Sequence, residues 1–269
     1  MTVLEKLEKE VLSSSQKSEQ DYFLFHQNRY RRFTRFLESY FGEKLNSDEI
    51  SVLDIGSHYL HSSVLLAQSG FQVEGMDVEE FWELDFVRDR GKRFGVKTIV
   101  ENDLAKLSSF QGVSSKYDLI VFSEILEHIT FNPILFWKTI YQILKPGGIV
   151  YISTPNAFAF PNLIRNLKNL FLLKSIGITV EDIFSKVTYG HHWKEYSAKE
   201  VKHYFSMLSD DFEVQVHPYH YKNYELKPPF LLFKLLSKVG NFTKTFADDL
   251  EVIVSLKEKT NWKIEPPCY

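Results

Sequence analysis

Two carboxylates and an imidazole fall within five residues at Glu124-Ile125-Leu126-Glu127-His128, and an imidazole pair, His191-His192, precedes Trp193-Lys194-Glu195-Tyr196-Ser197. If the first run begins a helix, positions i, i+3 and i+4 share a face, and the three side chains point one way. Such a group has two chemical uses. An imidazole titrates near working pH and can take a proton from an alcohol. Carboxylates with imidazole can instead hold a divalent ion, and hard oxygen donors favour Mg2+ or Mn2+ over zinc. The bland alternative is a carboxylate capping a helix and histidines bonding backbone at a loop junction, with Trp193 and Tyr196 in the core.

A second polar series recurs at longer intervals. Asp54-Ile55-Gly56-Ser57, Gly75-Met76-Asp77, Glu101-Asn102-Asp103-Leu104, Ser123-Glu124 and Ser153-Thr154-Pro155-Asn156 each close a short apolar run, at 51–55, 71–76, 96–100, 117–122 and 149–153. Helix-length pieces at 60–69, 79–93 and 132–144 separate several of these runs. Strands alternating with helices predict parallel β–α–β units, and all-apolar strands predict a sheet covered on both faces. In such a sheet the ligand sits at the carboxyl ends of the strands. A glycine after the first strand allows close approach. An acidic residue about 20 positions on, here Asp77, is placed to hold a ribose diol. Asp103 is then placed to accept from an adenine amino group.

Around this alternation lie other elements. Residues 1–45 read as an N-terminal helical cap, aromatic and basic from Asp21 to Phe41, whose functional variant is a lid over a ligand. Residues 46–269 read as one domain with insertions at about 156–192 and 220–247. The insertions carry amphipathic basic helices, 162–174 and 229–239, which could lie on a membrane surface or cover a lipid-like substrate; packing against their own domain, as a roof over an acceptor pocket, is the preferred reading. Ser197 with Glu200 forms a capping box for a helix over 197–208. FEVQVHPY (212–219) and DLEVIVSL (249–256) read as strands. Thirty-two Lys and Arg against 35 Asp and Glu give a net charge of −3, which argues against a nucleic-acid partner; Arg29–Arg35 is the local exception. A single cysteine, Cys268, excludes a disulfide framework or a cysteine-rich zinc site. The N-terminus lacks an apolar h-region and no stretch approaches the length of a membrane span, so a soluble, cytoplasmic protein is the expectation.

VLDIGSHYLHSSVLLAQSGFQVEGMDV, ENDL, YDLIVFSEILEHI and LKPGGIVYISTPN resemble, in order and spacing, the successive motifs of class I S-adenosylmethionine-dependent methyltransferases. Within that class the likeness is to the ubiquinone-pathway-like, type 11–23 group, over about residues 50–156 and more weakly through 191–207. The resemblance implies an α/β fold: a doubly wound, Rossmann-like, seven-stranded sheet with DLEVIVSL inserted antiparallel. It implies S-adenosyl-L-methionine as cofactor, with Asp54 and Gly56 near its methionine part, Asp77 at the ribose, Asp103 at the adenine and Ser123 lining the pocket. Ser57, His58, Val78 and Leu104 complete the implied cofactor-binding set. The family's glycine loop departs here, because His58 and Leu60 stand where the second and third glycines belong; a side chain there would crowd the cofactor unless the backbone shifts. His58 is either a solvent-facing loop residue or, with His61, a contact for the cofactor carboxylate.

The sulfonium methyl is already activated, so alignment dominates catalysis. An alcohol acceptor adds the need for a base, and His128 is the first candidate, His192 the second. Glu-x-x-Glu-His followed by a late His is also similar to metal-dependent 2′-O-methyltransferases of small RNAs, which implies Glu124, Glu127, His128 and His192 as ligands of Mg2+ or Mn2+. Because the Glu-His pair is common among metal-free members, the reading taken has no metal. The expected function is methyl transfer, as O-methylation, to a small-molecule, glycan or lipid-linked acceptor, with peripheral membrane contact allowed. Rival readings are the RNA enzyme, a non-catalytic cofactor-binding protein, and a nicotinamide oxidoreductase, the last opposed by the missing Gly-x-Gly-x-x-Gly.

Overall fold

The short apolar runs closed by glycine or acid form strands: β1 (Ser51–Ile55), β2 (Gln72–Asp77), β3 (Lys97–Val100), β4 (Tyr117–Ser123), β5 (Leu144–Pro155), β6 (Phe212–Tyr219) and β7 (Asp249–Leu256). In the computed structural model the described residues are 1–45, 48–174, 177–185, 190–219 and 230–267, without the side chains of Asp182 and Phe230. Cys268 and positions 220–229 of the second insertion, which include the first residue of its amphipathic segment, lie outside the described residues. The strands make one sheet in the order β3-β2-β1-β4-β5-β7-β6. β1 to β5 pair in parallel, whereas β7 runs antiparallel to β5 and β6. Strand order reverses between β1 and β4, which puts a crevice beyond their carboxyl ends.

Both faces are covered. On one, Val52, Val73, Val121 and Tyr151 pack with Val64 and Leu65 of α3 (His61–Gln68) and Val87 of α5 (Asp85–Phe94), which follows the single turn α4 (Glu79–Trp82). On the other, Leu53, Ile120, Phe122 and Ile152 meet Trp137 and Ile140 of α6 (Ile134–Ile143) and Phe205 of α9 (Ala198–Leu208). Ser197 and Glu200 form the reciprocal box that starts α9.

The N-terminal residues form α1 (Val3–Ser13) and α2 (Lys17–Phe41). Their aromatic stripe belongs to the first core: Phe33 and Phe36 lie 4.8 and 4.6 Å, ring to ring, from Tyr151. Charges lock them down as well. Glu19, fully buried, meets Arg90 of α5 at 2.5 Å and His61 of α3 at 3.0 Å. Arg90 also reaches Glu10 of α1 at 2.8 Å. Burial works to raise the Glu19 carboxyl, but the hydrogen bonds from His61 and Arg90 outweigh it and hold it below its ordinary value.

The insertions supply α7 (Phe160–Phe171), α8 (Val180–Ser185) and α10 (Phe230–Thr243). Here the preferred reading, that their apolar stripes pack inward, fails. Leu170 and Phe171 of α7 are 55% and 79% exposed, and Leu235 and Phe242 of α10 are 60% and 91% exposed. The two helices touch each other at one seam; among the described residues, no further layer covers their outer faces. No described helix is long and apolar enough to cross a membrane.

Candidate active site

β1 ends in Asp54-Ile55, and its register against β2 aligns Ile55 with Met76. The Met76 carbonyl accepts from the Gly56 and Ser57 amides at 2.8 and 3.1 Å, which turns the chain sharply. Gly56, His58 and Leu60 all have left-handed φ, +70°, +48° and +65°. The backbone therefore follows a glycine path although two of the three residues carry side chains, at a strain of roughly 1–2 kcal/mol each. Leu60 does not crowd the crevice. Its side chain is fully buried against Gly75, where an added Cβ would press on Leu60 Cδ2 at 3.3 Å; on Gly91 a Cβ would make only ordinary contact, 3.5 Å from Leu60 Cδ1.

His58 does line the crevice, a cavity of about 660 Å³, large enough for a nucleoside-sized ligand with an acceptor. Its ring packs among Tyr22, Tyr59 and Phe81 at 4.5, 3.8 and 4.3 Å. Burial, helped by His61 and Arg29, drops the His58 pKa to about 3, so it is neutral and cannot meet a carboxylate as a cation. His61 is absent from the cavity wall. It is buried in the cap contact, between Tyr30 and Glu19 at 3.0 Å each, and burial lowers its pKa to about 4. The ionised Glu19 accepts, so the His61 proton sits on Nε2 and Nδ1 accepts from the Tyr30 hydroxyl.

Gly56, Asp77, Val78, Asp103, Leu104 and Ser123 all face the cavity; Asp54 and Ser57 do not. Asp54 lies beneath the loop, takes a 2.5 Å bond from Ser63 Oγ and is pushed up to about 7 by burial. That bond ties the end of β1 to α3. Asp77 accepts from the His58 amide at 2.6 Å and the Val78 amide at 2.8 Å, one on each oxygen, leaving a lone pair on each for hydroxyls. Burial lifts its pKa to about 6. Asp103 sits at the rim, 44% exposed, and pairs with Lys106 at 2.9 Å, which holds it below the usual range. The turn that carries it is organised by Glu101, a buried carboxylate bonded by the Asp103 amide at 3.2 Å and Ser108 Oγ at 3.1 Å.

No helix forms at 124–128. Glu124 adopts φ +56° and only one 3₁₀ turn follows, Leu126–His128, because the helix proper waits until after Pro133. The shared helical face therefore does not exist. Glu124 turns to Ser153 Oγ at 3.0 Å and Arg29 at 3.7 Å. Donor atoms of Glu127, His128 and His192 nevertheless come within 4.8 Å of one another, without Glu124. Glu127 is fully buried, with Oε2 accepting from Thr154 at 2.9 Å and Oε1 making no hydrogen bond among the described residues. Burial, with Glu124 nearby, raises its pKa well above normal. His128 Nδ1 donates to the His191 carbonyl at 2.8 Å, which leaves Nε2 as a bare lone pair. Burial lowers the His128 pKa, so that lone pair persists at neutral pH. His192 bonds Glu195 at 3.2 Å and packs edge-on, 5.0 Å from His128. Trp193 is 42% exposed and is not a core residue.

Tyr22 and His26 of α2 complete the wall, with Phe81 and Glu101. Sequence reasoning counts Glu101 among the strand-end polar residues without giving it a role, and does not find Tyr22, His26 or Phe81 on the wall; the i, i+4 spacing of Tyr22 and His26 is the signal that two side chains of α2 share one face. Among the described residues, five carboxylates line the cavity, Asp77, Glu101, Asp103, Glu124 and Glu127, and no Lys or Arg does. The field favours a cation, and the His58 Nδ1 is buried without a hydrogen-bond partner among the described residues. Apolar Met76, Val78, Leu104 and Ile125 offer a slot for a flat base. These residues fit S-adenosylmethionine, a cationic sulfonium on an adenosine.

Residues 24–226 match a family described as a methyltransferase domain. A ubiquinone biosynthesis O-methyltransferase of Leptothrix cholodnii is 29% identical over 145 residues, 54% of this chain and 56% of that protein. The Caulobacter vibrioides protein of the same name is 29% identical over 155 residues, 56% of this chain and 55% of its own. The chain thus spans about half the length of these relatives. Among solved structures, an S-adenosylmethionine-dependent methyltransferase of Mesorhizobium loti superposes with TM-score 0.52 at 16% identity, covering 77% of this chain and 90% of that one. A possible histamine N-methyltransferase of Thermotoga maritima superposes with TM-score 0.51 at 15% identity, covering 95% and 100%. At such identities these two speak for the fold. With the sheet order and the family match in agreement, the chain belongs to the methyltransferase-domain family, the class I S-adenosylmethionine-dependent methyltransferases.

Proposed function

We propose that the cavity transfers a methyl group to an oxygen of a small-molecule acceptor, with His128 as general base. When bound, S-adenosylmethionine supplies a methyl already activated on a sulfonium. The carboxylate of Asp77 would hold the ribose hydroxyls, Asp103 and Leu104 the adenine, and Gly56, His58 and Ser123 the remainder of the cofactor. The observation that carries the proposal is the oriented His128: its Nδ1–H is fixed on the His191 carbonyl and Nε2 remains an acceptor, on the wall of an acid-lined cavity. That nitrogen takes the acceptor's hydroxyl proton as oxygen attacks. His192, more exposed and steered by Glu195, is the second candidate. The names of the two relatives support an oxygen acceptor.

His128→Ala should lower turnover on a hydroxyl-bearing small-molecule acceptor by about 10²–10⁴-fold, while calorimetric affinity for S-adenosylhomocysteine stays within about twofold of the parent. His192→Ala should cost less. Full turnover in both variants would reject the base assignment.

Glu127 Oε1, without a hydrogen bond among the described residues and 3.9 Å from His128 Nε2, supports a second reading, in which Glu127, His128 and His192 hold a divalent ion; two imidazoles with one carboxylate suit Mn2+ better than Mg2+. Protein treated with chelator and then titrated with Mn2+ separates the two. Turnover that is lost with chelator and restored by Mn2+ supports the ion, and turnover indifferent to both supports the bare base.

A further inference from the structure

We propose that the outer face of α7 and α10 docks on an anionic phospholipid bilayer. Pro161 is the one buried residue of α7, and Ile164, Leu167, Leu170 and Phe171 are between 41% and 79% exposed. On α10, Leu231, Leu235, Val239 and Phe242 recur at helical spacing and are between 46% and 91% exposed. The inner sides are anchored: buried Ser237 bonds Asp248 at 3.0 Å, and a Cβ on Gly240 would stand 3.2 Å from Phe160 Cβ. The outward stripes are therefore not a loosely held core. Exposed apolar surface on this scale marks an interaction site.

Charge selects the occupant. α7 and α10 carry Arg165, Lys168, Lys234 and Lys238 and no Asp or Glu, with Lys174 and Lys244 just past their ends. Apolar residues flanked by cations suit the acyl boundary beneath anionic headgroups. A second copy of the same face would bring cations against cations. The surface also adjoins the cavity. Asn162 of α7 donates to Glu195 at 3.3 Å, and Glu195 holds the cavity residue His192 at 3.2 Å. The docking inference stands on the exposed residues and holds whether or not the cavity transfers methyl groups.

Flotation of the full chain with vesicles tests it, using phosphatidylcholine alone and phosphatidylcholine with about one third phosphatidylglycerol. Binding to the anionic vesicles should exceed binding to the neutral ones by about tenfold or more and weaken at about 0.5 M salt. Phe171→Glu with Leu235→Glu should abolish it, and Lys168→Glu with Lys238→Glu should erase the preference for anionic lipid. Leu135→Glu, at an exposed apolar residue of α6, serves as control and should leave binding unchanged. Melting temperatures and S-adenosylhomocysteine affinity matching the parent show that the variants are folded. Absence of binding to anionic vesicles, or binding that survives the Phe171/Leu235 change, overturns the proposal. So does a dimer in sedimentation that this change dissolves while vesicles go unbound.

Discussion

At Asp77 one carboxylate has two duties, closing the glycine loop through the His58 amide and facing the cavity. Its pKa near 6, raised by burial, makes ligand affinity depend on acid. If the ionised form binds, affinity for S-adenosylhomocysteine should be level above pH 7 and about tenfold weaker at pH 5 than at pH 8. Asp77→Asn should bind weakly throughout and lose that step; calorimetry across the pH range reads it. For the protein alone the sign is opposite. A carboxyl whose folded pKa exceeds its unfolded value of 3.8 favours the fold when protonated, so its contribution declines from pH 4 to pH 6 and is constant above. At His128 the pKa is lowered, so the acid limb of turnover belongs below the ordinary histidine value of about 6.5. That separates it from the Asp77 step, which appears in affinity.

Among elements, α2 joins the cap to the site: Glu19 is buried on Arg90 and His61, while Tyr22 and His26 face the cavity. Deleting one partner of a buried pair leaves the other charge stranded. Glu19→Ala should destabilise the protein by about 3–5 kcal/mol in urea denaturation and weaken S-adenosylhomocysteine binding, because the helix that loosens carries part of the wall. Unchanged binding alongside lost stability would confine α2 to a structural part. The central strands β1, β4 and β5 were legible because two-faced burial writes nearly continuous apolar runs, β6 because its burial alternates, and the box at Ser197 and Glu200 because capping is local. The 124–128 turn was not legible: helical spacing is only a pattern until a hydrogen-bonded turn forms, and the left-handed Glu124 does not start one. The outward stripes of α7 and α10 escaped for a related reason, since amphipathicity does not say what lies against the apolar side.

Across the whole molecule, the least legible feature was cooperation between distant positions. Leu60 reads as a defect in a glycine loop, yet Gly75 in β2 leaves room for it. Leu60→Gly, which restores the familiar residue, should relieve about 1–2 kcal/mol of backbone strain and forfeit about 2–5 kcal/mol of buried side chain. The net expectation is a less stable protein with a lower melting temperature; a more stable variant would show that the left-handed leucine is merely tolerated. Asp54 and Asp103 illustrate the same limit from another side. Both end strands, but depth places one under the loop and the other at the rim, and linear order does not encode depth.

The three positive φ values at 56, 58 and 60 reach past this chain. Glycine at such points is one solution to a conformational demand, and a hydrophobic residue with a matching vacancy in the neighbouring layers is another. Genome surveys that require the second and third glycines would discard every chain built this way, whereas a filter pairing a bulky loop residue with a small residue in the next strand would recover them.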